Sequence, residues 1–142
     1  MAAEESVFLK VLAGELPGEV LYEDDRVFVM LTAAPNKPGH SLVIPKKQTE
    51  FFYEMDGEEF AEVMDVARRF AIVLDSVYRP KVVAAQLMGL GVSHVHVHLV
   101  PIESEEDMDH DKNSGFVGMS VLKPEADKIR AYLADHPLSE VQ

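Results

Sequence analysis

Cysteine is absent from the 142 residues, which excludes disulfides and thiol catalysis and fits an intracellular, cytoplasmic protein. No apolar run reaches membrane-spanning length. The N-terminus lacks the basic-then-apolar layout of a secretory signal, so no membrane partner is expected. Positive charge is scarce: 13 Lys and Arg stand against 25 Asp and Glu, a formal net charge of −12. Such a surface repels polyphosphate backbones, so duplex nucleic acid is not an expected partner. A small phosphorylated ligand needs only local donors and stays open. There is no internal repeat and no low-complexity segment. The length and the 47% hydrophobic fraction fit one domain with a substantial core.

Half of the six histidines fall in one stretch, Gly89-Leu90-Gly91-Val92-Ser93-His94-Val95-His96-Val97-His98-Leu99-Val100-Pro101. From Ser93 to Val100 polar and apolar residues alternate, the period of a strand with one buried face. His94, His96 and His98 therefore share a face, roughly 6.5–7 Å apart along the chain. Val95, Val97 and Leu99 point the other way, and Pro101 is expected to close the strand. Imidazole titrates near neutrality, so such a row can attack, donate and accept protons at physiological pH. Gly-Leu-Gly before it permits a tight turn that exposes N–H groups to a phosphate. A metal site is the rival reading, because alternate positions could supply two imidazole ligands.

Along the chain, residues 1–5 read as a frayed start. Ser6 to Ala13 reads as a short amphipathic helix capped by Ser6 and stopped by Gly14. Val20 to Tyr22 and Val27 to Leu31 form a hairpin across Glu23-Asp24-Asp25-Arg26. Residues 39–44 give a third strand, ended by Pro45 and the solvated pair Lys46-Lys47. A long helix starts at the N-cap Asp56, carries Phe60, Val63, Met64, Ala67, Phe70, Ala71, Leu74 and Val77, and ends before Pro80. Residues 81–88 read as a fourth, largely buried strand, and the histidine strand is the fifth. Residues 102–113 read as an acidic, mobile loop with His110 solvated in it. Residues 115–122 lack a clear period, and 124–133 form a terminal helix. The order predicts an α+β protein with a largely antiparallel five-stranded sheet, one long helix and short terminal helices.

The His-x-His-x-His run, with two apolar residues after it, resembles the histidine triad (HIT) family of nucleotide hydrolases and transferases. The resemblance extends over roughly residues 6–101. It is carried by Ser6-Val7-Phe8-Leu9-Lys10-Val11-Leu12-Ala13-Gly14-Glu15-Leu16-Pro17, by Tyr22-Glu23-Asp24-Asp25, and by Pro38-Gly39-His40-Ser41-Leu42-Val43-Ile44-Pro45-Lys46-Lys47. It implies one HIT domain over 1–142, with an acidic loop and terminal helix after residue 101, that commonly pairs as a homodimer.

The resemblance also implies roles. His96 attacks the α-phosphorus and forms a nucleotidyl-imidazole that water hydrolyses. His94 and His40 help to orient it, and His98 donates to a phosphate oxygen, as do the Gly91 and Val92 N–H groups. Base and sugar lie over Val7, Phe8, Val11, Met30, Ala33 and Leu42. Transferases of the family typically carry Gln in place of the third His, so His98 favours hydrolysis. Many members have Cys-x-x-Cys as half of a structural zinc site where this chain has Ser6 and Leu9, so no metal and no cofactor are expected. Members often have a ribose-binding Asp at the position of Thr32, and Asn and Gln at those of Val83 and Leu90. The chain is thus expected to be a variant nucleotide hydrolase. The alternative is a nucleotide-binding or scaffold protein of this fold with negligible turnover.

Overall fold

The computed structural model describes residues 4–142, so most of the stretch read as a frayed start lies outside the described residues. Five antiparallel strands form one sheet in the order β1-β2-β3-β5-β4. They are β1 (Val20–Glu23), β2 (Val27–Leu31), β3 (Ser41–Pro45), β4 (Val82–Gln86) and β5 (Val97–Ile102). The β1–β2 turn is held by Asp24, whose carboxylate accepts from the N–H groups of Arg26 and Val27, both at 2.8 Å. This is the side-chain turn closure that aspartate favours.

Helix α1 (Val7–Leu12) starts where Ser6 Oγ accepts the Leu9 N–H at 3.2 Å. Helix α2 (Gly57–Tyr78) starts on Asp56, which accepts the Glu58 N–H at 2.9 Å. It crosses from β3 to β4 over one face of the sheet. There Val63, Ala67, Phe70 and Leu74 meet Val29, Leu31, Val43, Val97 and Leu99 in the main core. Phe70 is fully buried, so truncation to Ala would cost about 3–5 kcal/mol. The other face carries a smaller cluster, Phe28, Met30, Leu42 and Ile44, covered by Phe8 of α1. The sheet therefore has a heavily packed side and a lightly covered one, and the histidines lie on the second.

Five expectations need correction. The histidine strand does not begin at Ser93: β5 starts at Val97, leaving His94 and His96 in irregular backbone before it. Its partner β3 ends at Pro45, which has no N–H to extend the ladder, and Val43–Val97 is the last pair in that direction. Pro101 does not close the strand either; it lies inside β5, opposite Val83. β3 pairs with β5 only as far as Leu99, so Pro101 faces a neighbouring strand on one side alone, where a proline is tolerated. β4 is an edge strand rather than a buried one, with Val82 52% exposed. The acidic stretch is structured. A 3-10 turn spans Glu105–Met108 and helix α3 spans His110–Asn113. The last helix, α4 (Met119–Asp135), begins before Pro124 and has Pro124 inside it. Residues 115–122 lack a clear period, so the apolar pattern does not mark the first turn. Packing of Leu122 against α2's core holds that turn in place.

Candidate active site

His94 is fully buried and has both ring nitrogens engaged. Nε2 lies 2.6 Å from the Pro45 carbonyl oxygen and Nδ1 2.5 Å from Ser6 Oγ. A carbonyl only accepts, so Nε2 carries the proton, Nδ1 accepts, and the Ser6 hydroxyl donates. The ring is a peg between α1 and the end of β3, with no lone pair left for a ligand. Its main-chain carbonyl takes the next step: His96 Nδ1 lies 2.7 Å from the His94 oxygen. His96 therefore holds its proton on Nδ1 and presents a lone pair at Nε2, which meets no partner among the described residues. Phe8 packs edge-on against His96 at 5.0 Å between ring centroids. Burial lowers the pKa of both imidazoles below 6.5, and the carbonyl contacts offset part of the shift.

His98 sits on β5 opposite Leu42 of β3 and Gln86 of β4. Its ring centroid lies 5.0 Å from that of His96. His40, just before β3, is 1% exposed, and its Nε2 lies 2.9 Å from His98 Nδ1. The Asn36 N–H donates to His40 Nδ1 at 3.0 Å. That donor fixes the direction of the pair: His40 carries its proton on Nε2, gives it to His98 Nδ1, and leaves His98 with an outward Nε2–H. Burial pushes His40 down to about 3, with the neighbouring His98, His110 and His96 adding to the effect. Burial pushes His98 down to about 4, with His96 and His110 adding to it. Gly39 lets the chain enter this pair. Its φ is +86°, and a Cβ there would lie 2.4 Å from the Tyr78 ring.

His110, expected in solvent, joins this group. Its ring centroid lies 5.0 Å from that of His98 and 6.0 Å from that of His40. Its nitrogens contact Asn36 Oδ1 at 2.9 Å and Gln86 Oε1 at 2.8 Å. The sequence held no signal for this, because His110 stands alone in an acidic stretch and Asn36 and Gln86 belong to no spacing motif. Nor did it separate the roles of His94 and His40. His94 orients His96 through its carbonyl rather than its ring, and His40 contacts His98.

The remaining expected site residues divide by face. Phe8, Met30 and Leu42 are buried on the histidine side of the sheet, Val7 is 45% exposed, and Val11 packs on Gly18. The Thr32 hydroxyl accepts the Ala34 N–H at 3.2 Å, and the Ala33 carbonyl accepts from Val117. Gly89 and Gly91 both have positive φ. The N–H groups of residues 89–93 donate to nothing among the described residues, which leaves those of Gly91 and Val92 free for an anion. Leu90 is 75% exposed. Val83 packs on the α2 side, so a polar residue there would face away from the histidines, and Gln86 takes the polar place on their face. Lys46 and Lys47 pair with Glu23 and Glu59. A cavity of about 450 Å³ lies beside those lysines and includes none of the histidines. Among the described residues, no three His, Cys, Asp or Glu side chains are grouped to hold a metal ion.

Comparison with known proteins agrees with the geometry. The family described as HIT domain matches residues 13–105. An uncharacterized HIT-like protein of Methanocaldococcus jannaschii is 34% identical over 99 residues, 67% of this chain and 77% of that protein. A Hit-like protein from Bartonella henselae, described as involved in cell-cycle regulation, superposes with a TM-score of 0.80. It is 25% identical, and the match covers 94% of this chain and 100% of the other. A hypothetical histidine triad nucleotide-binding protein from Sulfolobus tokodaii gives a TM-score of 0.75 at 25% identity, covering 90% and 91% of the two chains. The histidine row, the five-stranded sheet that carries it and these matches lead to one conclusion: the chain belongs to the HIT family.

Proposed function

We propose that this protein is a metal-independent nucleotide hydrolase that attacks the α-phosphate of a nucleoside-phosphate conjugate through a covalent nucleotidyl group on His96. The observation that carries this is the contact of His96 Nδ1 with the His94 carbonyl oxygen at 2.7 Å. It fixes the proton on the inner nitrogen and leaves the Nε2 lone pair outward, as an attacking imidazole requires. Nε2 forms a bond to phosphorus while the bond to the leaving group breaks. The leaving group departs with that electron pair and takes a proton from water. Positive charge develops on the ring and is met at Nδ1–H by the carbonyl. Water then attacks phosphorus and gives up a proton to the hydroxide left by the first step, the P–N bond returns its electrons to Nε2, and the mononucleotide is released.

The outward Nε2–H of His98 and the N–H groups of Gly91 and Val92 are placed in this reading on the phosphate oxygens. Phe8, Met30 and Leu42 flank the base, and the Thr32 hydroxyl faces the sugar. The Sulfolobus neighbour's description as nucleotide-binding supports a nucleotide ligand. β4 is an open sheet edge with Val82 exposed, which supports pairing as a homodimer.

A second reading, a nucleotide-binding protein with negligible turnover, is favoured by the neutral Thr32 and the exposed, apolar Leu90. Adenosine and guanosine phosphoramidates, phosphosulfates and dinucleoside polyphosphates, offered in parallel, separate the two. Multiple turnover with a rapid-quench nucleotidyl adduct on the His96 peptide is the expected result. Binding without adduct or turnover for every compound would leave the second reading. Elemental analysis of untagged protein should find well under one zinc per chain, with turnover unchanged by chelators.

A further inference from the structure

We propose that His110 is a positioning residue for the site, closing a ring of hydrogen bonds that fixes which way the His40–His98 bond points. The ring can be followed atom by atom. His98 Nδ1 meets His40 Nε2 at 2.9 Å, and His40 Nδ1 meets the Asn36 N–H at 3.0 Å. Asn36 Oδ1 accepts from His110 Nδ1 at 2.9 Å, and His110 Nε2 lies 2.8 Å from the end of the Gln86 carboxamide, which closes the ring with its NH2 turned to donate to that nitrogen. Gln86 stands opposite His98 in the β4–β5 ladder, which returns to the start.

Only one member of the ring has a proton that cannot move, the Asn36 main-chain N–H. It makes His40 Nδ1 an acceptor, and the rest of the relay follows from that. A donor works this way only while it stays aimed. Asn36 is buried at 8% exposure, and both ends of its amide go to the 103–113 segment. Its Nδ2 donates to the Asp107 carbonyl at 2.9 Å, so its Oδ1 is the end that faces His110, and His110 Nδ1 is the donor there. The segment is itself tied down, since the Asp107 carboxylate accepts from the N–H groups of Glu103 and Ser104 at 2.8 and 3.2 Å. Among the described residues, His110 is the one side chain that joins this segment both to the Asn36 loop and to the strand beside His98. Without it, the Asn36 side chain keeps the Asp107 contact but loses its link to β4, and the aim of its N–H loosens. A neutral relay can then reverse, with the proton on His98 Nδ1 and a lone pair, not a donor, presented to the phosphate.

The test reads the tautomers directly. Two-bond proton–nitrogen correlation spectra of ¹⁵N-histidine-labelled full-length protein at neutral pH distinguish Nδ1–H from Nε2–H rings. The wild type should show Nε2–H at both His40 and His98; Nδ1–H at His98 would overturn the proposal. His110→Phe keeps a ring packed against His98 but removes both hydrogen bonds. It should give mixed tautomers at His98 and lower kcat about tenfold, the weight of one neutral hydrogen bond, with a smaller change in KM. His110→Gln, which can still donate to Asn36, should restore most of both. Unchanged single tautomers at His40 and His98 in folded His110→Phe would overturn the proposal. Should that variant fail to fold, Gln86→Leu opens the same ring from the edge strand, and retained single tautomers there would overturn it equally. The kinetic arm rests on the nucleotidyl-transfer reading. The tautomer arm does not, so absent turnover would count against that reading alone.

Discussion

The two halves of the histidine array solve the same problem with opposite backbone groups. In His94–His96 the fixed partners are carbonyls, of Pro45 and of His94 itself. An acceptor pins a proton on the nitrogen that faces it and frees the lone pair on the other side. In His40–His98 the fixed partner is an N–H, that of Asn36. A donor pins a lone pair and pushes the proton outward. One half therefore presents a lone pair and the other an N–H donor, from chemically identical side chains. The two halves differ in acid–base terms as well. The carbonyl contacts raise the affinity of His94 and His96 for a second proton and so oppose burial. No such contact opposes it for His40 and His98, which fall to about 3 and about 4.

Breaking the first half should have the largest effect. His96→Ala removes the atom proposed to attack phosphorus, and kcat is expected to fall by at least ~10³, with mononucleotide affinity changing far less. Single-turnover and equilibrium-binding measurements on the variant check this, and a retained third of wild-type turnover would refute the assignment.

The second half should govern acid stability. His40 and His98 are neutral when folded down to pH about 3 and about 4, but the unfolded chain protonates them below about 6.5. The unfolded state thus binds more protons in that window. The contribution to stability is whole above pH 6.5 and shrinks as pH falls towards 4, by at most about 1.4 kcal/mol per pH unit for each histidine. Urea midpoints from pH 7.5 to 4.5 should follow that slope, and His40→Asn should flatten it.

A smaller effect separates the peg from the chemistry. Ser6→Ala loses the α1 cap on Leu9 and the donor to His94 Nδ1. About 1–2 kcal/mol of stability should go. Turnover should stay within a few-fold, because the His94 carbonyl that orients His96 is untouched. A large drop in kcat at full stability would move Ser6 and the His94 ring into the catalytic machinery.

The smallest effect concerns the sugar. Thr32 offers one neutral hydroxyl, whose oxygen already accepts from Ala34, so one bond worth roughly 0.5–1.5 kcal/mol is expected. Replacing a ribonucleotide substrate by its 2′-deoxy counterpart should cost about tenfold or less in kcat/KM. Thr32→Asp should widen the gap. A hundredfold preference for ribose in the wild type would mean that another residue holds the sugar.

What the sequence determined by itself was local. Serine and aspartate caps at Ser6 and Asp56, the Asp24 turn and the 3.6-residue stripe of α2 are relations between residues two to four apart, and they place α1, the first hairpin and the long helix. The alternation around the triad likewise put Val97 and Leu99 on the core side and His98 on the other. It could not say where the ladder stops, because that depends on β3 ending at Pro45 beside Val97. Nor could it separate the carbonyl-pinned His96 from the amide-pinned His98, since both read as histidines on alternate positions. The partners that make the difference were decided by tertiary structure alone. Asn36 and Gln86 lie 74 and 24 residues from His110 in sequence. They meet it only because the sheet order sets β4 beside β5 and the acidic segment folds back across the end of both. No local period or cap encodes that meeting, which exists only once the sheet has formed.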